Sequence, residues 1–188
     1  MIDQNEIKKA IASIIKAIGE DPKREGLVDT PSRVAEMYSE LFMGVGKDAK
    51  EEMKVVYEAG HREMVILRCV PFYSMCEHHL LPFYGVAHIG YIPDVDGRVV
   101  GISKLARVVE ITARRPQIQE RMTTEIADAI VDGLKPAGVA VVVQAEHLCM
   151  IMRGIKKPGS NIVTSAVRGT FLTHPETRAE FFSLIQGK

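Results

Sequence analysis

The sequence predicts an α+β fold, with helices packed on one face of an antiparallel sheet and a helical arm in front. Three observations predict this class. Runs over 64–74, 83–93, 139–154 and 161–172 are rich in Val, Ile, Phe and Tyr, the residue types that suit a half-buried strand. Two stretches of helical periodicity, 103–115 and 116–134, separate the first pair of runs from the second. The chain of 188 residues is 46% hydrophobic and 26% charged, which is enough apolar material for the core of an ordinary globular domain. The order strand, strand, helix, helix, strand, strand implies helices layered on a sheet.

The first element is a helix over 3–18, with Ile7, Ile11, Ile14, Ile15 and Ile18 on one face, ended by Gly19 and Pro22. A second helix opens at Thr30, read as the N-cap, with Pro31 at the first helical position. It runs to Phe42, where Gly44 and Gly46 close it. The character of the sequence then changes, so residues 1–60 read as the arm and 61–188 as the main domain. Between the strands, Asp94 to Gly97 supplies turn chemistry ahead of Val99 and Val100. Ser103 reads as the cap of one helix and Pro116 as the start of the next, whose Ile118, Met122, Ile126 and Ile130 form a core stripe. Gly138 precedes the third strand run, and a short helix over 175–185 ends the order. A sheet of this kind has free edges, which natural proteins pair or cover, so association through them is expected.

The 24 Lys+Arg balance 24 Asp+Glu, so no global charge draws the chain to nucleic acid or to an anionic membrane. No apolar run reaches membrane-spanning length, and the N-terminal stretch lacks the solid apolar centre of a signal peptide; a cytoplasmic protein is expected. Three cysteines argue against a disulfide framework.

The densest chemistry lies between the first two strands, where Cys76, Glu77, His78 and His79 follow one another. Cys76 and His79 are three apart, so one turn can aim both at a single ion, and zinc accepts thiolate and imidazole together. Cys69 sits in an apolar strand and reads as a core thiol. Cys149 lies two residues after His147; in a strand those two side chains share a face. Cys76, His79 and Cys149 would then hold zinc with a fourth position left for water, as in catalytic sites. His78 and His147, outside the ligand set, are of the residue type best suited to carry protons at neutral pH. The same residues also fit buried thiols with satisfied histidines, or a Cys76–Cys149 disulfide, because C-x-x-H is not a full four-ligand pattern. His61, His88 and His174 lack clustered partners and read as structural.

A second constellation is basic. Lys104 and Arg107 are three apart near a helix start that also favours anions, and Arg153 and Arg33 can join them around a phosphorylated small molecule. Surface helices carry such residues for solubility alone. A third is Gln119 with Glu120, whose carboxylate can accept from the N1–H and amino group of a guanine-like edge; an acidic residue there equally serves the helix dipole.

Together these segments resemble GTP cyclohydrolase I. The matching stretches are Asp29-Thr-Pro-Ser-Arg33, Ser74-Met-Cys-Glu-His-His79, Gly101-Ile-Ser-Lys-Leu-Ala-Arg107, Arg115-Pro-Gln-Ile-Gln-Glu-Arg121, His147-Leu-Cys149 with Met152-Arg-Gly154, and Thr164-Ser-Ala-Val-Arg-Gly169. The resemblance implies one Zn2+ per subunit on Cys76, His79 and Cys149, with His78 and His147 as catalytic histidines. Glu120, assisted by Gln119, would anchor guanine, and Ser103 would lie near the ribose. Lys104, Arg107, Arg153 and Arg33 would hold the triphosphate, Arg33 from a neighbouring subunit. It further implies the tunnelling fold, a homodecamer of two stacked pentamers with sites at subunit interfaces, and GTP as substrate. The implied reaction opens the guanine imidazole ring, releases formate and yields 7,8-dihydroneopterin triphosphate, the first step of tetrahydrofolate and pterin synthesis. One departure stands out: Glu36 occupies a place where some members carry a phosphate-binding lysine.

Overall fold

The computed structural model describes residues 2–54 and 56–186. In the arm, α1 (Gln4–Ala17) is capped by Asp3, whose side chain accepts the Asn5 and Glu6 backbone N–H groups. α2 (Thr30–Leu41) begins one residue earlier than a Thr30 cap requires. Asp29 is the N-cap, because its carbonyl already accepts the Arg33 N–H at 3.0 Å. A 3-10 helix (Ala49–Lys54) and β1 (Val56–Glu58) follow. The sequence reading assigns both to the arm, yet Ala49 and Met53 join the main core.

The body contains β2 (Val65–Cys76), β3 (Pro82–Ile92), β4 (Arg98–Val100), α3 (Ile102–Ala113), β5 (Pro116–Gln117), α4 (Gln119–Leu134), β6 (Gly138–His147), α5 (Leu148–Ile151), β7 (Ile162–Gly169), α6 (Thr170–Thr173) and α7 (Pro175–Gln186). The main sheet has the order β5-β2-β3-β6-β7; β2, β3, β6 and β7 pair antiparallel and β5 lies parallel to β2. β1 and β4 form a separate ribbon. This is the α+β, β-β-α-α-β-β layout the sequence predicts.

Period-2 alternation sorts the strand residues. Phe72, Phe83, Ile89, Val141 and Val143 face the stripe of α3 and α4 that includes Leu105, Val109, Met122, Ile126 and Ile130. Ala140 and Val142 point to the opposite face, which α6 and α7 cover with Phe171 and Phe181. The Val-rich centre of β6 is therefore buried on both sides. Gly90 makes room for that second layer: a Cβ there would lie 2.7 Å from the Phe181 ring.

Four local expectations give way to the structure. Gly101, not Ser103, is the N-cap of α3, and Ser103 lies inside its first turn. Pro116 opens a two-residue strand instead of a helix, paired with Met75 and Cys76; α4 starts only at Gln119. The third strand run stops at His147, and the chain turns into α5. Cys69 is exposed instead of buried. The register of β2 on β3 slips between Leu67 and Val70, so Arg68 and Cys69 both oppose His88 in a β-bulge, with Cys69 at φ 57°. The extra residue breaks the alternation that would have turned the thiol inward.

Candidate active site

The β2–β3 hairpin builds the first half of the site. Cys76 N–H donates to Leu81 O at 2.9 Å, and Leu80 N–H donates back to Cys76 O at 2.8 Å. Leu80 takes the left-handed conformation, φ 50°, that this tight return needs. The loop brings the Cys76 Sγ to 3.7 Å from His79 Nδ1 and 4.0 Å from His78 Nδ1. The second half comes from β6, whose last residue, His147, lies opposite Phe83 at the foot of the hairpin. Cys149 then reaches the site from α5, so the β3–β6 register and the turn after His147 deliver it, and strand alternation does not apply. The donor atoms of Cys76, His79 and Cys149 all lie within 4.8 Å of one another, a group able to hold a metal ion. All three cysteines are free. Burial and the neighbouring Cys76 push the Cys149 thiol up, with Arg153 pulling weakly the other way.

His147 is nearly buried and stacks flat on Phe83, centroids 4.5 Å apart with 2° between planes. Its Nε2 lies 2.8 Å from Gln119 Oε1. Burial lowers the His147 pKa, while the Glu120 carboxylate nearby raises it. Glu120 is exposed in the first turn of α4. Gln119, next to it, is turned into the protein and bonded there.

The basic residues do not converge within one chain. Arg153 Nη1 lies 3.3 Å from His79 Nε2, beside the metal group. Lys104 and Arg107 instead face Glu52, at 3.2 and 3.6 Å. They sit toward the start of α3, whose far end meets the hairpin strand through Ser74 Oγ donating to Ala113 O at 2.7 Å. At 12 residues, α3 is about 18 Å long, so Ser103 and Lys104 lie far from Cys76. Arg33 is exposed and pairs with Asp29 at 3.3 Å; Glu36 is exposed on the same helix.

The sequence model of the GTP cyclohydrolase I family matches residues 7–186. The chain belongs to the GTP cyclohydrolase I family. A GTP cyclohydrolase 1 from Dehalococcoides mccartyi is 68% identical over 188 residues, covering 100% of both chains. One from Thermoanaerobacter pseudethanolicus is 58% identical over 188 residues, again 100% of both. One from Thermobifida fusca is 57% identical over 187 residues, 100% of this chain and 90% of the relative. Among the described residues, no helix is long and apolar enough to cross a membrane.

In this GTP cyclohydrolase I family member, four supporting contacts escape a direct sequence reading. Glu77 forms an ion pair with Arg121, whose guanidinium holds the Glu77 carboxyl below its ordinary range. Glu77 N–H also donates to Gln117 O at 3.0 Å, so β5 and the start of α4 pin the hairpin loop. Phe83 and Thr164 support His147, one directly and one through Gln119. Only Arg121 carried a usable signal. Its position four residues after Gln117 places it over a strand-to-helix junction, and its guanidinium needs an acid there.

Proposed function

We propose that this chain carries out the GTP cyclohydrolase I reaction: hydrolytic opening of the guanine imidazole ring of GTP, loss of C8 as formate, and closure to 7,8-dihydroneopterin triphosphate. The observation that carries this reading is the Cys76, His79 and Cys149 group, with donor atoms within 4.8 Å, set beside two further histidines and Glu120. Two thiols and an imidazole are the donor set of a catalytic zinc site with three protein ligands. Zinc bonds of about 2.3 Å to sulfur and about 2.0 Å to nitrogen separate ligand atoms by about 3.5 Å, and the Cys76–His79 separation is 3.7 Å. When bound, one Zn2+ per subunit supplies Lewis acidity that makes water nucleophilic at neutral pH.

The chain's own residues supply orientation and protons. Glu120, exposed at the mouth of the site, accepts the guanine N1–H and amino group. His78 and His147 flank the metal group and carry protons to and from the purine nitrogens during ring opening. Arg153, beside His79, meets the phosphate end. Ser103 and Lys104 start α3, far from the same chain's metal group, and Arg107, midway along it, pairs with Glu52 beside Lys104; we read all three as completing the site of a neighbouring copy, with Arg33 from the arm. Oligomerisation into stacked pentamers follows from that requirement together with the family reading.

Incubating zinc-loaded protein with GTP tests the reading. Formate should appear, along with fluorescent neopterin after oxidation and dephosphorylation. Protein holding about one zinc per chain, as a mononuclear site requires, yet giving no formate would overturn it.

A further inference from the structure

Gln119 is 1% exposed, and its side chain is fully committed. Nε2 lies 3.0 Å from Val143 O, 3.0 Å from Ile162 O and 3.2 Å from Thr164 Oγ1. Carbonyl oxygens only accept, so the end of the amide that faces Val143 and Ile162 is its NH2. Oε1 therefore points the other way, 2.8 Å from His147 Nε2. An amide oxygen has no hydrogen to give, so the hydrogen in that contact belongs to His147 Nε2. A neutral imidazole carries one N–H, which leaves His147 Nδ1 as a bare lone pair.

The hydroxyls behind Gln119 close the logic. Thr123 Oγ1 donates its single hydrogen to Gln119 O at 2.7 Å. In the 2.6 Å contact between Thr123 Oγ1 and Thr164 Oγ1, Thr164 must then be the donor. Thr164 Oγ1, with its hydrogen given to Thr123, offers only lone pairs to Gln119 Nε2, which keeps the amide from turning over. On the other side of the imidazole, fully buried Phe83 lies parallel to the ring and prevents it from tilting.

We propose that Gln119 is a positioning residue that locks His147 in its Nε2–H tautomer, leaving Nδ1 as the ring atom that accepts hydrogen bonds in the reaction. On this view Gln119 does not touch guanine: reaching the substrate would strip a partner from the buried Val143 carbonyl and from the half-buried Ile162 carbonyl. The assignment of work to Nδ1 rests on the GTP cyclohydrolase I reading, whereas the tautomer itself does not.

Two measurements on zinc-loaded protein decide it. In protein labelled with 15N-histidine, with His147 identified by comparison with His147→Ala, the wild type should show a protonated Nε2 and a bare Nδ1. Gln119→Met should yield a mixture of tautomers, lower kcat at least about tenfold, as loss of a supporting hydrogen bond commonly does, and leave KM for GTP and zinc content near wild type. Thr164→Val, a milder change to the same chain of bonds, should move both readouts in the same direction and decides the matter if Gln119→Met does not fold. A wild-type His147 protonated on Nδ1 overturns the proposal. So does a variant in which KM rises while kcat stays, the mark of a lost guanine contact. If wild-type protein makes no formate from GTP, the functional reading fails, yet the ring nitrogens still report whether Gln119 sets the tautomer.

Discussion

At the scale of single residues, Cys149 and His147 are two positions apart and should fail in different ways. Cys149 offers one of three donor atoms within 4.8 Å, and its thiol must lose a proton that burial and Cys76 help it keep. Cys149→Ser should remove zinc and formate production together, as read by elemental analysis and a formate assay. His147→Ala should keep its zinc and lose roughly 10²–10⁴-fold in kcat, the range for a general acid or base. Loss of metal in His147→Ala would mean the ligand set is wrong. His88 carries a stability prediction instead. It is buried with Cys69 N–H donating to its Nδ1 at 3.4 Å, and burial, aided by the Arg68 charge, lowers its pKa. The unfolded chain, with a histidine pKa of about 6.5, then binds more protons than the fold below that pH. Stability is therefore full above about 6.5 and declines as pH falls toward the folded-state value. His147 is lowered too and acts with the same sign. His88→Asn, which keeps an acceptor but cannot titrate, should lose less stability than wild type between pH 7.5 and pH 5 in denaturant titrations. Equal acid losses in the two proteins would refute the assignment.

At the scale of elements, α7 tests how the second layer is held. Phe181 is fully buried against Phe171 and over Gly90, on the sheet face away from α3 and α4. Phe181→Ala should cost about 3–5 kcal/mol, the usual range for emptying a buried aromatic site, measured by denaturant unfolding. The same layer shows where sequence is legible. Long segments such as α1, α4, β3 and β6 declare themselves, because the helical period or the run of β-branched and aromatic residues lies within the element itself. β5 does not: two residues become a strand only because Met75 and Cys76 lie beside them. The bulge at Arg68 and Cys69 is equally invisible, since register depends on a partner strand and not on β2 itself. In the site, Cys76 and His79 were readable as a spacing within one turn. Cys149 reads from sequence as sharing a strand face with His147, whereas α5 and not a strand presents it. The partners of Gln119 come from β6 and β7, and nothing local announces them.

At the scale of the whole molecule, the chain separates two halves of one proposed site. The metal group lies at the hairpin end of α3, and Ser103 and Lys104 lie at the other end of a helix about 18 Å long, with Arg107 midway and turned with Lys104 to Glu52. The arm leaves Ile14 53%, Ile18 72% and Val28 56% exposed, apolar surface suited to a partner chain. A closed assembly in which each copy offers its α3 start to the next copy's metal group would satisfy both features. Its oligomeric mass should be a multiple of the chain by light scattering. Subunit mixing gives the sharper test. Cys149→Ser should be inactive for want of metal. A Lys104→Met, Arg107→Met double variant should be inactive for want of a phosphate grip. If each site draws these groups from two different chains, random co-assembly of the two variants at equal amounts restores both intact halves to about one site in four, and formate production returns to about a quarter of wild type. If one chain supplies both groups, every site in the mixture carries a defect and activity does not return. The two arrangements thus differ by recovery against none, with each inactive parent as its own control.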